Sequence, residues 1–482
     1  MATTQQIPWF ANGSYSSQSL NADCERTVNF YPEQMESAGG KSQAVLYPCP
    51  GFALRATFGV GPIRGMFAQN GRKFVASGYE LYEEVLGVPV LRGALAVDLH
   101  PAQFTSNGDG GNQLFITSGD VGYCYDLITN TLTTELASGA TMCGILDGYF
   151  LVLDAATSTL KISAQFDGTM WDPTQFAQRS LAGDTWVGMI VVNSDIWLMG
   201  SQTSEPWYDS GAFPFPFAPR PGNLLPQGVV APFSLAALNN VPVWVSQNAQ
   251  GSGMIHRLDG YAPLRISTHA LEYAMQGYAD ISDAVASTYQ EQGHTFYVVT
   301  FPSANATWAY DAATSLWHER GYGNSIIGAT QAIKVGNFCH FDNNTNVAGD
   351  RVNGNVYTMS IDTATDVDGA GMWRIRQFRL PSSPALNYMF YNNAQLDMET
   401  GVGLSTGQGS DPQVMLSVSN DAGHTFGNER WVSAGALGNY NARARWVGWL
   451  VRARNAVVRI AVSDPVPWRL LQFGVSGEEG TS

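Results

Sequence analysis

The chain has 482 residues, a formal net charge of −15, 45% hydrophobic residues and only 13% charged ones, against roughly 25% charged in ordinary soluble domains. That hydrophobic content excludes a disordered chain, and so few charges over so large a surface argue against a freely soluble monomer, so assembly with other subunits is expected. The acidic balance also argues against a protein that wraps nucleic acid, because it repels phosphates instead of releasing their counterions.

The N-terminal stretch "MATTQQIPWFANGSYSSQSL" has no basic start and no apolar core, so no signal peptide is expected in it. No apolar run is long enough for a membrane-spanning helix. The cysteines (Cys24, Cys49, Cys124, Cys143, Cys339) are odd in number, scattered and without a C-x-x-C spacing. They read as buried free thiols made in a reducing cytoplasm, not as zinc ligands or redox pairs.

From residue 71 onward, short runs rich in Val, Ile, Tyr, Phe and Trp alternate with glycines, prolines and turn pairs. "GRKFVASGYELYEEV" (71–85) reads as two strands about Ser77-Gly78. "NQLFITSGDVGYCYDLITNTLTTEL" (112–136) reads as three, turning at Gly119-Asp120 and Thr129-Asn130. The stretch 147–173 repeats that layout with a turn at Ala156-Thr157. Further units follow, and their first strands are read near 72, 113, 148, 195, 241, 294 and either 337 or 354. The spacing suits propeller blades of about 40–50 residues. Tyr125-Asp126 and Tyr310-Asp311 are read as marking the turn into a blade's outer strand. The proline-dense stretch 213–228 cannot be a central strand, because proline lacks the ladder donor, and is read as a surface loop or arm.

After Pro384 the character changes to longer alternating strands. Residues 1–373 hold 15 Lys and Arg against 32 Asp and Glu, a net of −17, whereas residues 374–482 hold 10 against 8, a net of +2. Arg443, Arg445, Val447 and Trp449 fall two apart, as do Arg452, Arg454, Ala456, Val458 and Ile460, which predicts strands with one polar and one apolar face. The fold expected is all-β: a β-propeller, six blades preferred and seven the alternative, followed by an antiparallel sandwich-like region. The divisions expected are an N-terminal segment at 1–66, the propeller body at 67–384 and the C-terminal region at 385–482.

Chemical motifs are scarce. "SVSNDAGHTF" (417–426) resembles the short box of sialidases, yet Asp421, Gly423 and Phe426 suit a turn clamp, a positive φ and a packing contact, so a structural role is expected. The seven histidines form no H-x-x-x-H, and neither a G-x-S-x-G elbow nor a G-x-x-x-x-G-K-[ST] loop occurs. "DNNTNV" (342–347) has part of a calcium-loop spacing but lacks its glycine and its terminal glutamate. Asp120, Asp126, Asp154, Asp167 and Asp311 sit at turns, where carboxylates bond nearby backbone more often than they move protons. No catalytic, cofactor-binding or metal-binding residue is assigned. Arg443, Arg445, Arg452, Arg454 and Arg459 are read as contacts to a second subunit or an adaptor.

Two regions carry a family resemblance. Val28-Asn29-Phe30-Tyr31-Pro32-Glu33, Lys41, Pro50-Gly51-Phe52 and Gly61-Pro62-Ile63-Arg64-Gly65 resemble the opening of the packaged-DNA stabilization proteins, the tail hub or nozzle subunits of short-tailed phages. The stretch 416–467 is similar to the closing region of the same family. The resemblance implies a structural virion protein without enzymatic activity or cofactor: a homo-hexameric ring below the portal and adaptor proteins. It also implies contacts with tailspike or fibre subunits and with a tail needle or plug, and double-stranded DNA passing through without sequence-specific binding. An acidic and neutral bore lining would let the duplex slide. The competing reading is a propeller glycosidase or depolymerase, or a glycan-binding propeller, acting on host surface polysaccharide.

Overall fold

Two-residue turns set the architecture. Asn70-Gly71, Asp147-Gly148 and Gln292-Gly293 hold both residues at φ between 49° and 85°, the conformation that matches the twist of paired antiparallel strands. They join Ile63–Gln69 to Arg72–Ser77, Met142–Leu146 to Tyr149–Asp154, and Val285–Glu291 to His294–Phe301. The structure, a computed structural model, describes residues 5–37, 39–108, 110–179, 183–247, 251, 253–323, 331–342 and 345–480.

Six blades are each built from four consecutive strands, over 63–94, 103–136, 142–178, 186–219, 236–265 and 285–320; the first five are separate sheets, and the sixth is part of a ten-stranded sheet. The remaining place in the ring is taken by Val335–Phe341, Thr345–Asp350 and Asn355–Ser360. Gly51–Thr57, from near the N-terminus, closes this composite sheet on its outside, with Gly51 opposite Ser360. Gly51 has no substitute there, since a Cβ would meet the Thr363 carbonyl oxygen at 2.2 Å. The propeller is therefore six blades of consecutive strands, as preferred from the sequence, plus a composite closing sheet in the seventh position.

The turns read at Gly119-Asp120 and Thr129-Asn130 fall between the strands Gln113–Ser118, Val121–Asp126 and Thr131–Leu136. One expectation is displaced. The strands taken as the first of each unit, near 72, 113, 148, 195, 241 and 294, are the second strands. All but the one at 113, which comes after residues 107–112, follow a two-residue turn, which is the strongest local signal. The inner strands before them, Gln103–Ser106 and Ala236–Leu238 among them, are weakly patterned because they line the axis. For the last unit the strand near 337 is the inner one.

The stretch 213–228 also needs correction: Phe217–Pro219 is the outer strand of the fourth blade, paired with Ser204–Asp209. Its prolines are tolerated because an edge strand leaves one row of backbone donors unused. All five cysteines are free, three buried and two half-buried. The one α-helix among the described residues, His269–Gln276, starts at the Thr268 cap, whose hydroxyl accepts the Leu271 amide at 3.3 Å, and links the fifth blade to the sixth.

The sandwich is assembled from both ends of the chain. Cys24–Val28 lies between the sixth blade's outer strand, Leu316–Arg320, and Arg374–Arg379. The sheet continues through Val457–Val462, Gln413–Ser419 and Arg430–Ser433, so a single ladder runs from the propeller into the sandwich. The facing sheet orders Ala444–Trp446, Met389–Met398, Leu470–Glu479, Ala44–Pro48 and Phe30–Gln34. Between them Phe10, Phe30, Phe378, Trp446, Trp468 and Phe473 form the largest apolar core, each large side chain contributing about 1.5–3 kcal/mol by burial.

Candidate functional site

In the facing sheet, alternation buries Tyr391, Ala444, Trp446, Val451 and Ala453 and turns Arg443, Arg445, Arg452 and Arg454 outward. The guanidiniums of Arg452 and Arg454 lie 4.2 and 4.5 Å from the centre of the Tyr388 ring, and Arg452 also covers Phe390 at 5.5 Å. Trp449 meets Phe390 edge-on at 5.8 Å, and Arg430 donates to the Trp449 carbonyl at 2.6 Å. Stacking fixes the planes of both cations while leaving donors free along their edges, an arrangement suited to carboxylates or phosphates. Exposed Val447, Trp431 and Trp449 add apolar area beside it. The acidic end of Leu470–Glu479 borders the patch, with Glu478 opposite Phe390.

The sequence reading places Arg443, Arg445, Arg452 and Arg454 on strand faces, and all four are exposed. Arg459 is different. It is buried over the Phe426 ring at 3.6 Å and donates to the Gln377 side-chain oxygen at 3.1 and 3.2 Å. The strand read through 452–460 is two strands in different sheets, Val451–Ala453 and Val457–Val462. The chain crosses the sandwich between them and the alternation changes phase: Val458, Ile460 and Val462 face the sandwich core, and Arg459 lies on the other face of its sheet, where Phe426 covers it. Trp449 was read on one face with Arg443 and Arg445, but Tyr388, Phe390 and Arg430 were missed, although "NYMFY" places Tyr388 and Phe390 two apart on one face.

The family-marking residues at the N-terminus are anchors. Asn29, at φ 55°, donates from its amide to the Gly321 and Trp373 carbonyls at 2.7 and 2.8 Å, tying the sixth blade to the sandwich where the chain changes sheets. Val28, Phe30 and Tyr31 enter three different cores. Gly65 lets neighbouring blades abut, since a Cβ would meet the Ala102 carbonyl oxygen at 2.3 Å. Buried Arg64 donates to the Asp98 carbonyl at 3.0 Å and to Ser118 Oγ. Lys41 pairs with Asp397 at 2.5 Å on the sandwich surface.

Beside Tyr31 lies a cluster that superficially resembles hydrolase machinery. His294 Nδ1 is 2.8 Å from Asp311, and Cys49 Sγ is 3.6 Å from His318 Nε2. The Asp311 hydrogen bond raises the His294 pKa. Burial raises the Cys49 thiol and pushes His318 down to about 3. Neither thiolate nor imidazolium is favoured in the second pair, and both residues are fully buried, so the pair packs instead of reacting.

The turn acids act as expected. Asp126 accepts the Ile128 and Thr129 amides at 2.7 and 2.8 Å, Asp154 the Thr157 amide at 3.2 Å, Asp167 the Thr169 amide at 3.0 Å, and Asp311 the Ala313 amide at 2.9 Å. Asp120 accepts the Gly139 amide at 3.0 Å. In the sialidase-like box, Asp421 accepts the Ser419 hydroxyl and the Thr425 amide and hydroxyl, which hold its carboxyl down at about 2. Asp342 pairs with Arg55 and Lys73, and residues 343 and 344 of the calcium-like stretch lie outside the described residues. Among the described residues no group of three or more His, Cys, Asp or Glu side chains could hold a metal ion.

Along the propeller axis, Met66, Phe104, Ile145, Ile190, Leu235 and Phe338 help line a cavity of about 390 Å³ whose lining residues are all uncharged. At about 30 Å³ per water it has room for about a dozen waters, far too little for a duplex. No helix among the described residues is long and apolar enough to cross a membrane.

A propeller closed by its own N-terminal strand and welded through one sheet to a sandwich, with its marker residues used as internal anchors, defines a structural β scaffold. The chain belongs to the phage packaged-DNA stabilization family: the model described as "Bacteriophage P22 Gp10, beta-propeller" matches residues 5–364, and "Bacteriophage P22 Gp10, beta-sandwich" matches 384–478. It is thus a phage structural protein. No curated protein matches the chain. Among solved structures it is similar to the N-terminal domain of Nup159, at 10% identity and TM-score 0.39 over 70% of this chain and 99% of that one. It is also similar to the dihydro-heme d1 dehydrogenase NirN, at 14% identity and TM-score 0.40 over 67% and 74%.

Proposed function

We propose that the chain is a non-enzymatic tail-hub or nozzle subunit whose copies form a hexameric ring that retains packaged DNA and conducts it during ejection. The observation that carries this reading is the single ladder running from the sixth blade through Cys24–Val28 into the sandwich, in a chain matched along both parts by one phage family. Such a ladder makes the two parts one stiff wall element. Because the cavity on the propeller's own axis is small and uncharged, DNA passes through a bore enclosed by several copies. The ring sits below the portal and adaptor proteins, meets tailspike or fibre subunits and a needle or plug, and is built in the host cytoplasm.

The arginine and aromatic face of the sandwich is the self-association surface in this proposal, and the acidic propeller of the next copy is its partner. Asp126, Asp147 and Asp209 lie on one propeller face beside exposed Leu86, Ile128 and Phe213, and burial, reinforced by the repulsion of Asp209, raises the Asp147 pKa. A cationic patch would relieve that repulsion. A head-to-tail contact of this kind closes into a ring. The test is negative-stain imaging and sedimentation of the purified protein, with and without its adaptor. Wild type should give rings with an axial hole, and the double variant Arg452→Glu/Arg454→Glu should stay monomeric with unfolding stability changed by no more than about 0.5 kcal/mol. A monomer that never assembles, or turnover of a glycan by the wild type, would overturn the proposal.

A further inference from the structure

Where Cys24–Val28 leaves the shared sheet, two arginines flank the gap. Arg320 ends the outer strand of the sixth blade and Arg374 begins the neighbouring sandwich strand; Val28 pairs with Glu319 on one side and Ile375 on the other. Both arginines are essentially inaccessible, at 1% and 0% exposure. Arg320 donates from Nη1 to the Tyr289 hydroxyl at 2.9 Å and from Nη2 to the Pro50 carbonyl at 3.5 Å. Arg374 donates from Nη1 to the Met372 carbonyl at 3.3 Å. Among the described residues, no acceptor meets Arg320 Nε or Arg374 Nε and Nη2.

The two open atoms of Arg374 form one edge of its guanidinium, the parallel fork that takes an anion side-on. Neither arginine has a carboxylate within 4.0 Å among the described residues. Other groups facing the pair are the Cys49 thiol, the Tyr289 phenol, the His318 imidazole and the more distant Asp311 and Asp366. Burial raises the Asp366 carboxyl to about 6, and its oxygen already accepts the Val367 amide at 2.8 Å. Two buried cations close enough to disfavour one another thus face Asp366, a weakly acidic carboxyl, and beyond it Asp311, whose carboxylate is already held by His294 and the Thr314 hydroxyl. Uncompensated burial of even one charge is prohibitive, and water can satisfy the open N–H groups but cannot cancel their charge.

We propose that the joint between propeller and sandwich binds a small inorganic anion between Arg320 and Arg374, held on the Nε–Nη2 edge of Arg374. The anion completes the charge balance where the two parts are joined, so it stabilises the joint in particular. Bromide is the probe, since it substitutes for chloride and scatters anomalously. In crystals of the full chain grown in bromide, an anomalous peak within hydrogen-bond reach of both guanidiniums is expected. In solution, at constant ionic strength, each tenfold rise in bromide above its dissociation constant should lower the unfolding equilibrium constant about tenfold. Arg374→Gln should abolish that dependence. Asp366→Asn, which leaves both arginines in place, should strengthen it. A map with only water at the joint, an Asp366 carboxylate seated on the Arg374 fork, or unfolding indifferent to bromide in wild type and Asp366→Asn alike would overturn the proposal.

Discussion

The propeller and the sandwich are both antiparallel sheet, but they are held together over different distances in sequence. A propeller hairpin such as Ile63–Gln69 with Arg72–Ser77 closes over two residues. The sandwich pairs Gln5–Gln6 with Gly474–Val475, and Arg26–Val28 with Ile375–Gln377. The first kind of contact is formed by local turn chemistry. The second requires the chain ends to meet, and it depends on polar anchors buried at the seam. The contrast teaches where this molecule should fail first: at the long-range seam, with each blade robust on its own.

The largest expected effect comes from cutting one seam anchor. Arg376 is fully buried and donates to the carbonyls of Trp9 and Phe10 at 2.8 and 2.6 Å, to Thr27 Oγ1 at 3.0 Å and to Glu25 at 2.9 Å. Arg376→Met strands Glu25 in the interior and should cost about 3–5 kcal/mol, read by urea denaturation. Hydrogen exchange should accelerate across 9–28 and 374–379 while the blades over 63–265 stay protected. Uniform loss of protection would break the comparison.

The next effect depends on pH. His318 is fully buried at the propeller side of the seam, and its pKa is lowered from 6.5 to about 3. A base with a depressed folded pKa contributes stability that is present above the unfolded value and lost as pH falls. Between about 6.5 and about 3 this group should therefore remove on the order of 1.4 kcal/mol per pH unit. His294 works in the opposite sense: its pKa is raised by Asp311, so its contribution is complete below 6.5 and fades as pH rises through the folded value. Comparing the slope of stability against pH for wild type and His318→Gln isolates the first term. Equal slopes would show that the seam does not sense acid through this residue.

The smallest effect belongs to a local turn inside the sandwich. Asp421→Ala removes three hydrogen bonds within residues 419–425 and should cost about 1 kcal/mol, because the turn lies near solvent and its other contacts survive. A penalty as large as that of Arg376→Met would mean that turns and seam matter equally.

The same contrast governs what could be read from sequence. The strands at 113–118 and 121–126 and the turn acids Asp126 and Asp311 were legible because each depends on residues within a few positions. The inner blade strands were passed over because axis-lining residues carry little alternation. Arg443, Arg445, Arg452 and Arg454 were legible as outward residues from a period of two, yet the burial of Arg459 was not, because it depends on Phe426, from a turn more than thirty residues earlier, covering that face of the sheet. Nothing local to Tyr388 announces that two guanidiniums stack on it.

By itself the sequence determined the strand-and-turn cadence, the propeller class and the family, since turn conformations, hydrophobic alternation and marker residues such as Val28-Asn29-Phe30 act over short stretches of chain. Only the tertiary structure decided that Gly51–Thr57 closes the ring, that Cys24–Val28 joins the sixth blade to the sandwich, and that Arg320 and Arg374 are both buried at that joint. The first two arrangements bring together residues about 300 to 350 positions apart, and their free energy comes from shared burial and hydrogen bonds that exist only once both ends of the chain have arrived.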